Sequence, residues 1–171
     1  RAATAKEDAV KPERNIIGYT EKSKNQAKEV LDILPKAPYS KIMPVKNAEL
    51  VKYVGNCFLA QKVLFANLIF ELSQKLDIDY NEIKEAVGSD PRIGASHLDI
   101  DHLGGRGAGG YCFIKDLAAF SSFYKENLPK DVRGIQILSG LEEKNKELLC
   151  KTKKDIGLLK GVYGKEEISN Y

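Results

Sequence analysis

The densest chemistry in this sequence lies at residues 104–116, GGRGAGGYCFIKD. Cys112 follows the glycine run where a new helix is expected to begin. A thiol at a helix N-terminus is favoured as thiolate by the unpaired amides and the helix dipole, so nucleophilic attack is the chemistry it offers. Lys115 and Asp116 stand close by to assist. The same residue also suits a small buried hydrophobe ahead of Phe113, the commoner use of a free cysteine. Gly105, Gly107 and Gly110 satisfy GxGxxG by letter. That fingerprint has to follow a buried strand and open a βαβ unit, whereas here it follows the polar stretch from His97 to His102, so a dinucleotide reading is rejected. What the glycines do permit is close approach of backbone to a ligand.

Two further groups carry polar chemistry. Lys52 and Asn56 are four apart and share a helix face, with Asn67 near the same stripe eleven residues on. Polar groups on an otherwise apolar helix are paired, lie at a solvent edge or line a site. A solvent edge for Lys52 and a packed amide for Asn56 is the alternative. In the segment Asp90-Pro91-Arg92-Ile93-Gly94, Arg92 can fork onto a phosphate or carboxylate, or serve as a staple of its own loop. His97 and His102 are five apart with no HExxH frame. Cys57, Cys112 and Cys150 are odd in number and contain no CxxC pair. No metal site and no disulfide framework is therefore expected, and a reducing, cytoplasmic compartment fits.

The elements that must position these groups are mostly helices. Residues 1–13 are small and polar, a tail or the end of something larger. Residues 14–19 (RNIIGY) make one strand, residues 21–34 a helix stopped by Pro35, and residues 40–44 a second strand. From Asn47, a plausible N-cap, a helix over residues 48–75 would run roughly 40 Å. It is apolar on nearly every side, so it needs partners all round, as a core helix or an oligomer interface. Asp79 with Glu82 resembles a capping box for a short helix ending near Gly88. Residues 89–111 form a loop too long for a mere connector. Residues 116–124 and 132–159 read as two more helices.

With 171 residues, 43% hydrophobic and 30% charged, the chain can fill a core. Its net charge of +3 supplies no field for nucleic acid and no polybasic membrane anchor. The most apolar segment has uncharged runs of only nine residues, 53–61, and eight, 63–70, so no bilayer span is expected.

Three segments together are similar to a known family. NAELVKYVGNCFLAQKVLFANLIFEL, SDPRIGASH and GAGGYCFIKDLAAF, in this order and at these separations, resemble the central domain of the nucleotide-sugar 6-dehydrogenases, the UDP-glucose and GDP-mannose dehydrogenase family. The resemblance covers about residues 47–150. Residues 1–19 look like the stretch that closes the family's first domain. The resemblance implies a mainly α fold like the C-terminal domain of 6-phosphogluconate dehydrogenase: a long central helix with packed helices, preceded by a short strand-helix-strand remnant of a Rossmann domain. It divides the chain into 1–46 (the end of the NAD-binding domain), 47–160 (a central dimerisation and catalytic-cysteine domain) and 161–171 (a tail).

The function so implied is NAD-dependent oxidation of a nucleotide sugar, UDP-glucose or similar, twice at C6. Cys112 would add to the bound aldehyde, giving a thiohemiacetal and then a thioester that is hydrolysed. Lys52 and Asn56 would stabilise the oxyanion, and Asp116 would orient water and hold Lys52. Lys115 would lie on the cofactor side, and Gly107, Gly109 and Gly110 would bring amides to the sugar. Arg92 would reach the neighbouring subunit's substrate, in a homodimer built on helix 48–75. Departures from the pattern are Ala2 and Ala3 for Glu and Gly, Ala108 for an aromatic, Ile114 for Pro, and Gly55 inside the long helix. NAD would be bound mainly by a domain absent from these residues, so the chain alone is expected to be inactive. The alternative is a non-catalytic helical dimerisation scaffold of the same descent.

Overall fold

The computed structural model describes residues 5–171. The departures at Ala2 and Ala3 lie outside the described residues. The chain is mainly helical and divides into two compact units, one ending at Val54 and one comprising Gly55–Tyr171.

In the first unit, α1 (Ala5–Val10) leads to β1 (Arg14–Tyr19), and β2 (Tyr39–Pro44) pairs with β1 in parallel from Arg14↔Tyr39 to Tyr19↔Pro44. The helix between them, α2 (Ala27–Ile33), is shorter than residues 21–34 because its expected first turn is diverted. Ser23 Oγ accepts the Thr20 amide at 3.0 Å, and a 3-10 turn at Lys24–Gln26 follows. Such side-chain bonds offer the backbone an alternative to helix. At the other end Leu34 is extended (φ −79°, ψ 151°), as a residue before proline prefers. Asn15, buried, donates to the Pro35 carbonyl at 2.8 Å and ties the return to β1. At Gly18 a Cβ would come within 3.0 Å of the Ala48 Cβ, so strand and following helix meet only because the side chain is missing.

The helix that follows, α3 (Val45–Leu76), has 32 residues and runs through the boundary between the units. It begins directly after the strand, so Asn47 is not its N-cap but lies in its first turn, where amides have no intrahelical partner in any case. By length and composition α3 is apolar enough to cross a bilayer, which the short uncharged runs had not suggested. The core helix of a folded domain passes the same test, and α3 turns a polar residue inward: Asn67 is fully buried, while half-buried Lys62 donates to the Ile93 and Gly94 carbonyls, each at 2.8 Å. Of its most apolar eighteen residues, 28% are buried.

In the second unit, α3 buries Cys57, Ala60, Val63, Leu64 and Asn67, a stripe at helical spacing. Around it fold α4 (Tyr80–Gly88), α5 (Gly110–Asn127), α6 (Val132–Lys151), α7 (Ile156–Tyr163) and α8 (Lys165–Ile168). Asp79 caps α4 by accepting the Asn81 amide at 2.8 Å. One core cluster joins Cys57, Leu64, Leu117 and Leu148; a second joins Ile114, Leu149, Leu159 and Ile168. The helix expected over residues 132–159 is broken. Thr152 Oγ1 bonds back to the Leu148 carbonyl, and Lys153 (φ 57°) and Asp155 (φ 54°) are left-handed. Residues 161–171 hold the end of α7 and all of α8, and Ile168 is a core residue.

Candidate active site

Cys112 is the third residue of α5, exposed, whereas Cys57 is buried and Cys150 half-buried. Four residues on, and so on the same face of α5, Asp116 has no exposed surface. Its carboxylate accepts from Asn56 Nδ2 at 2.6 Å and from the Lys115 ammonium. Its backbone carbonyl receives the Cys57 thiol at 3.5 Å. The Asn56 bond joins two residues sixty positions apart and fixes α3 against α5, beside the apolar contact of Leu64 with Leu117. Lys52 stands one turn before Asn56 on α3, with its ammonium 5.0 Å from the Tyr53 ring centre. Thus Cys112, Lys115, Asp116 and Asn56 form one local constellation.

Arg92 belongs to a different segment. Its Nε and Nη2 fork onto Asp90 at 3.0 and 2.6 Å, and the side chain is largely exposed. The guanidinium holds the Asp90 carboxyl below the usual carboxylate range. Packing secures this loop through Lys62, which grips its next two carbonyls.

The glycine loop is gripped from several sides. Asn145, buried on α6, accepts the Ala108 amide at 2.8 Å and donates to the Ala108 carbonyl at 3.1 Å. Arg106 donates to Asn67 Oδ1 at 2.8 Å and to Glu71 Oε1 at 2.9 Å, and Lys144 reaches Glu71 at 2.8 Å. Burial pushes the Glu71 carboxyl up, but the bonds from Lys144 and Arg106 outweigh it and hold it low. Lys154, buried, donates to the Gly105 and Gly107 carbonyls at 3.2 Å each. Burial pushes its ammonium down, against the pull of Asp155 and Asp101.

These grips explain the glycines. A Cβ at Gly107 would meet Asn145 Oδ1 at 3.1 Å and Leu148 Cβ at 3.2 Å; one at Gly109 would meet Asp155 Oδ2 at 2.4 Å. At Gly110 the φ of +76° demands glycine while the Cβ direction is open. The amides of Ala108, Gly109 and Gly110 are engaged within the chain, by Asn145, the Gly107 carbonyl and Asp155. Sequence reasoning missed Arg106, Asn145, Lys154 and Asp155. Nothing local marks Asn145, Lys154 and Asp155, which sit in charged stretches that read as surface, whereas Arg106 stands as the lone charge inside the glycine run.

Among the described residues, no group of three or more His, Cys, Asp or Glu is placed to hold a metal ion. A cleft of about 320 Å³ is lined by Phe70, Tyr80, Asp79, Lys84, Asp99 and Asp101 and contains none of Lys52, Asn56, Arg92, Cys112, Lys115 or Asp116.

Comparison with known proteins places these features in context. Residues 46–147 match the UDP-glucose/GDP-mannose dehydrogenase family, central domain. A UDP-glucose 6-dehydrogenase from Rickettsia bellii is 33% identical over 149 residues, covering 86% of this chain and 32% of that protein. One from Rhizobium meliloti is 36% identical over 124 residues, covering 70% and 27%. The solved structure of a UDP-glucose dehydrogenase from the archaeon Pyrobaculum islandicum superposes with a TM-score of 0.65 at 34% identity, over 92% of this chain and 34% of that one. The chain spans about a third of the length of the relatives it matches.

Proposed function

Because the chain belongs to the UDP-glucose/GDP-mannose dehydrogenase family, through that family's central domain, we propose that it is the catalytic-cysteine domain of a nucleotide-sugar 6-dehydrogenase of the UDP-glucose to UDP-glucuronate type. The observation that carries this reading is the 2.6 Å bond from Asn56 to buried Asp116, one turn beyond exposed Cys112. On this reading, residues 1–46 are the end of an NAD-binding domain, 47–160 the central domain and 161–171 its tail. The setting is cytoplasmic.

The Cys112 thiolate adds to the C6 aldehyde carbon, and the carbonyl π pair moves to oxygen. Lys52 and Asn56 donate to that oxyanion; an Asn side-chain NH2 carries two donors, so binding Asp116 uses one and leaves one for substrate. Asp116, buried and held by Asn56 and Lys115, acts through Asn56 by fixing that amide toward the oxyanion, and a water that reaches the thioester cleaves it and returns the thiol. Arg92 binds the nucleotide sugar of the neighbouring subunit, and Gly110, whose Cβ direction is open, leaves room for the sugar to approach the 107–110 turn. NAD is the oxidant this family uses, with Lys115 on its side of the site. The described residues do not fit it: the two strands lead into no glycine-rich turn, and the GxGxxG at 105–110 follows coil. No hydride step is assigned to them.

A second reading, a dimerisation scaffold without turnover, is favoured by the exposed apolar row on α3 at Phe58, Phe65 and Leu72. A domain exchange separates the two. Placed in the Rickettsia bellii enzyme in exchange for its central segment, this chain's residues 46–150 should support NAD reduction with UDP-glucose, and Cys112→Ala should abolish it. A folded, NAD-binding exchange protein with no turnover would sink the catalytic reading and leave the scaffold.

A further inference from the structure

The break between α6 and α7 has a cost and a consequence. Two non-glycine residues, Lys153 and Asp155, are held left-handed at φ 57° and 54°, a conformation that persists only when surroundings enforce it. Between them Lys154 is buried, with its ammonium on the carbonyls of Gly105 and Gly107. Asp155 turns the other way and accepts the Gly110 amide at 2.7 Å. Gly110 opens α5 and lies two residues before Cys112. The clasp also dictates sequence at a distance, since a Cβ at Gly105 would lie 2.9 Å from the Lys154 Cβ and one at Gly109 2.5 Å from the Lys154 Cε. The 152–155 segment lies beyond the residues that match the family, 46–147.

We propose that Lys154 and Asp155 are positioning residues: they clamp the two ends of the 105–110 turn, and Asp155 fixes the first amide of α5 and thereby the Cys112 thiol. The proposal deepens the reading of Cys112 as nucleophile and rests on it for its catalytic meaning, while the clamp itself stands on the contacts above.

The test uses the 171-residue chain and three readouts: alkylation of Cys112 by iodoacetamide, resolved by peptide mass with Cys150 as internal control; amide hydrogen exchange over residues 104–112; and the thermal midpoint. In Asp155→Ala, Cys112 alkylation should rise at least threefold and exchange over 107–112 at least tenfold, with Cys150 and the midpoint unchanged. Asp155→Asn keeps an oxygen for the Gly110 amide and should hold exchange within twofold of the parent. Lys154→Met should raise exchange over 104–109. Unchanged exchange and alkylation in Asp155→Ala would overturn the proposal. So would parallel increases at Cys112 and Cys150 with a lowered midpoint, since that is general loosening. If Cys112 alkylates no faster than Cys150 in every variant while the exchange response persists, the clamp stands and the nucleophile reading falls.

Discussion

Asp116 is a carboxylate with no exposed surface that accepts from Asn56 and from the Lys115 ammonium. A buried acceptor stripped of one donor costs about 1–3 kcal/mol, more when it is charged. We therefore expect Asn56→Leu to lower unfolding free energy by about that much in urea titration. Asn56→Asp should cost more, since it sets a second carboxylate against the first. Adding Asp116→Leu to Asn56→Leu should recover part of the loss, because removing both partners removes the orphan. An Asn56→Leu protein as stable as its parent would show that Asp116 draws nothing from α3. The same bond is what brings the chemistry of two distant segments together, so its strength bears on the site as well as the fold.

At the scale of elements, α3 leaves Phe58 67%, Phe65 62% and Leu72 53% exposed, spaced seven apart and so on one stripe. An uncovered row of large apolar side chains marks an interaction surface. Phe65→Glu in this row should shift the protein to a lower oligomeric state in sedimentation equilibrium; an unchanged mass would rule out a dimer through α3. The junction of α6 with α8 adds ion pairs to the buried apolar contact of Leu149 and Ile168. Lys146, buried, pairs with Glu143 at 2.6 Å and with Glu167 at 2.5 Å, and lies 4.8 Å from the Tyr163 ring centre. Burial pushes Glu143 up, but its bonds to Lys146 and Tyr171 outweigh that and hold it below its ordinary 4.5. A depressed carboxylate contributes stability above its unfolded value and loses it as pH falls through the folded one. Glu142 is the reverse case: burial raises it, so it loses stability as pH rises above the ordinary value and partly offsets Glu143 in acid. Lys146 is raised by its acid partners despite burial and stays charged throughout. Relative to the intrinsic rate, hydrogen exchange over 156–171 should therefore accelerate below about pH 4, while that over residues 59–66 of α3, which carry no carboxylate, does not. Equal acceleration of both would mean global acid unfolding rather than release of the clasp.

For the molecule as a whole, α7 and α8 each send one side chain, Leu159 and Ile168, into the core. Leu159 is fully buried against Ile114 on α5, two residues beyond Cys112. Leu159→Ala should cost about 2–5 kcal/mol, read as a lowered urea midpoint, and a change under about 0.5 kcal/mol would show that α7 is dispensable. Since the described residues make no dinucleotide cradle, the chain by itself should not reduce NAD with UDP-glucose, and turnover by the purified chain would refute that. Strand β1, the helical run of α3, a helix start close to Cys112 and the order of the three family segments were legible from sequence alone, while α5 itself runs from Gly110 to Asn127, beyond the 116–124 expected. Each is carried by neighbouring residues, through periodicity, local dihedral preference or spacing. The closing of Asn145 on Ala108, the grip of Lys154 and Asp155 on the glycine turn, the break after Lys151 and the burial of Ile168 were not. They depend on residues 37, 45 and 49 positions apart meeting in space. In the chain itself a lysine that will be buried and one that will face water look alike; only packing removes the water that distinguishes them.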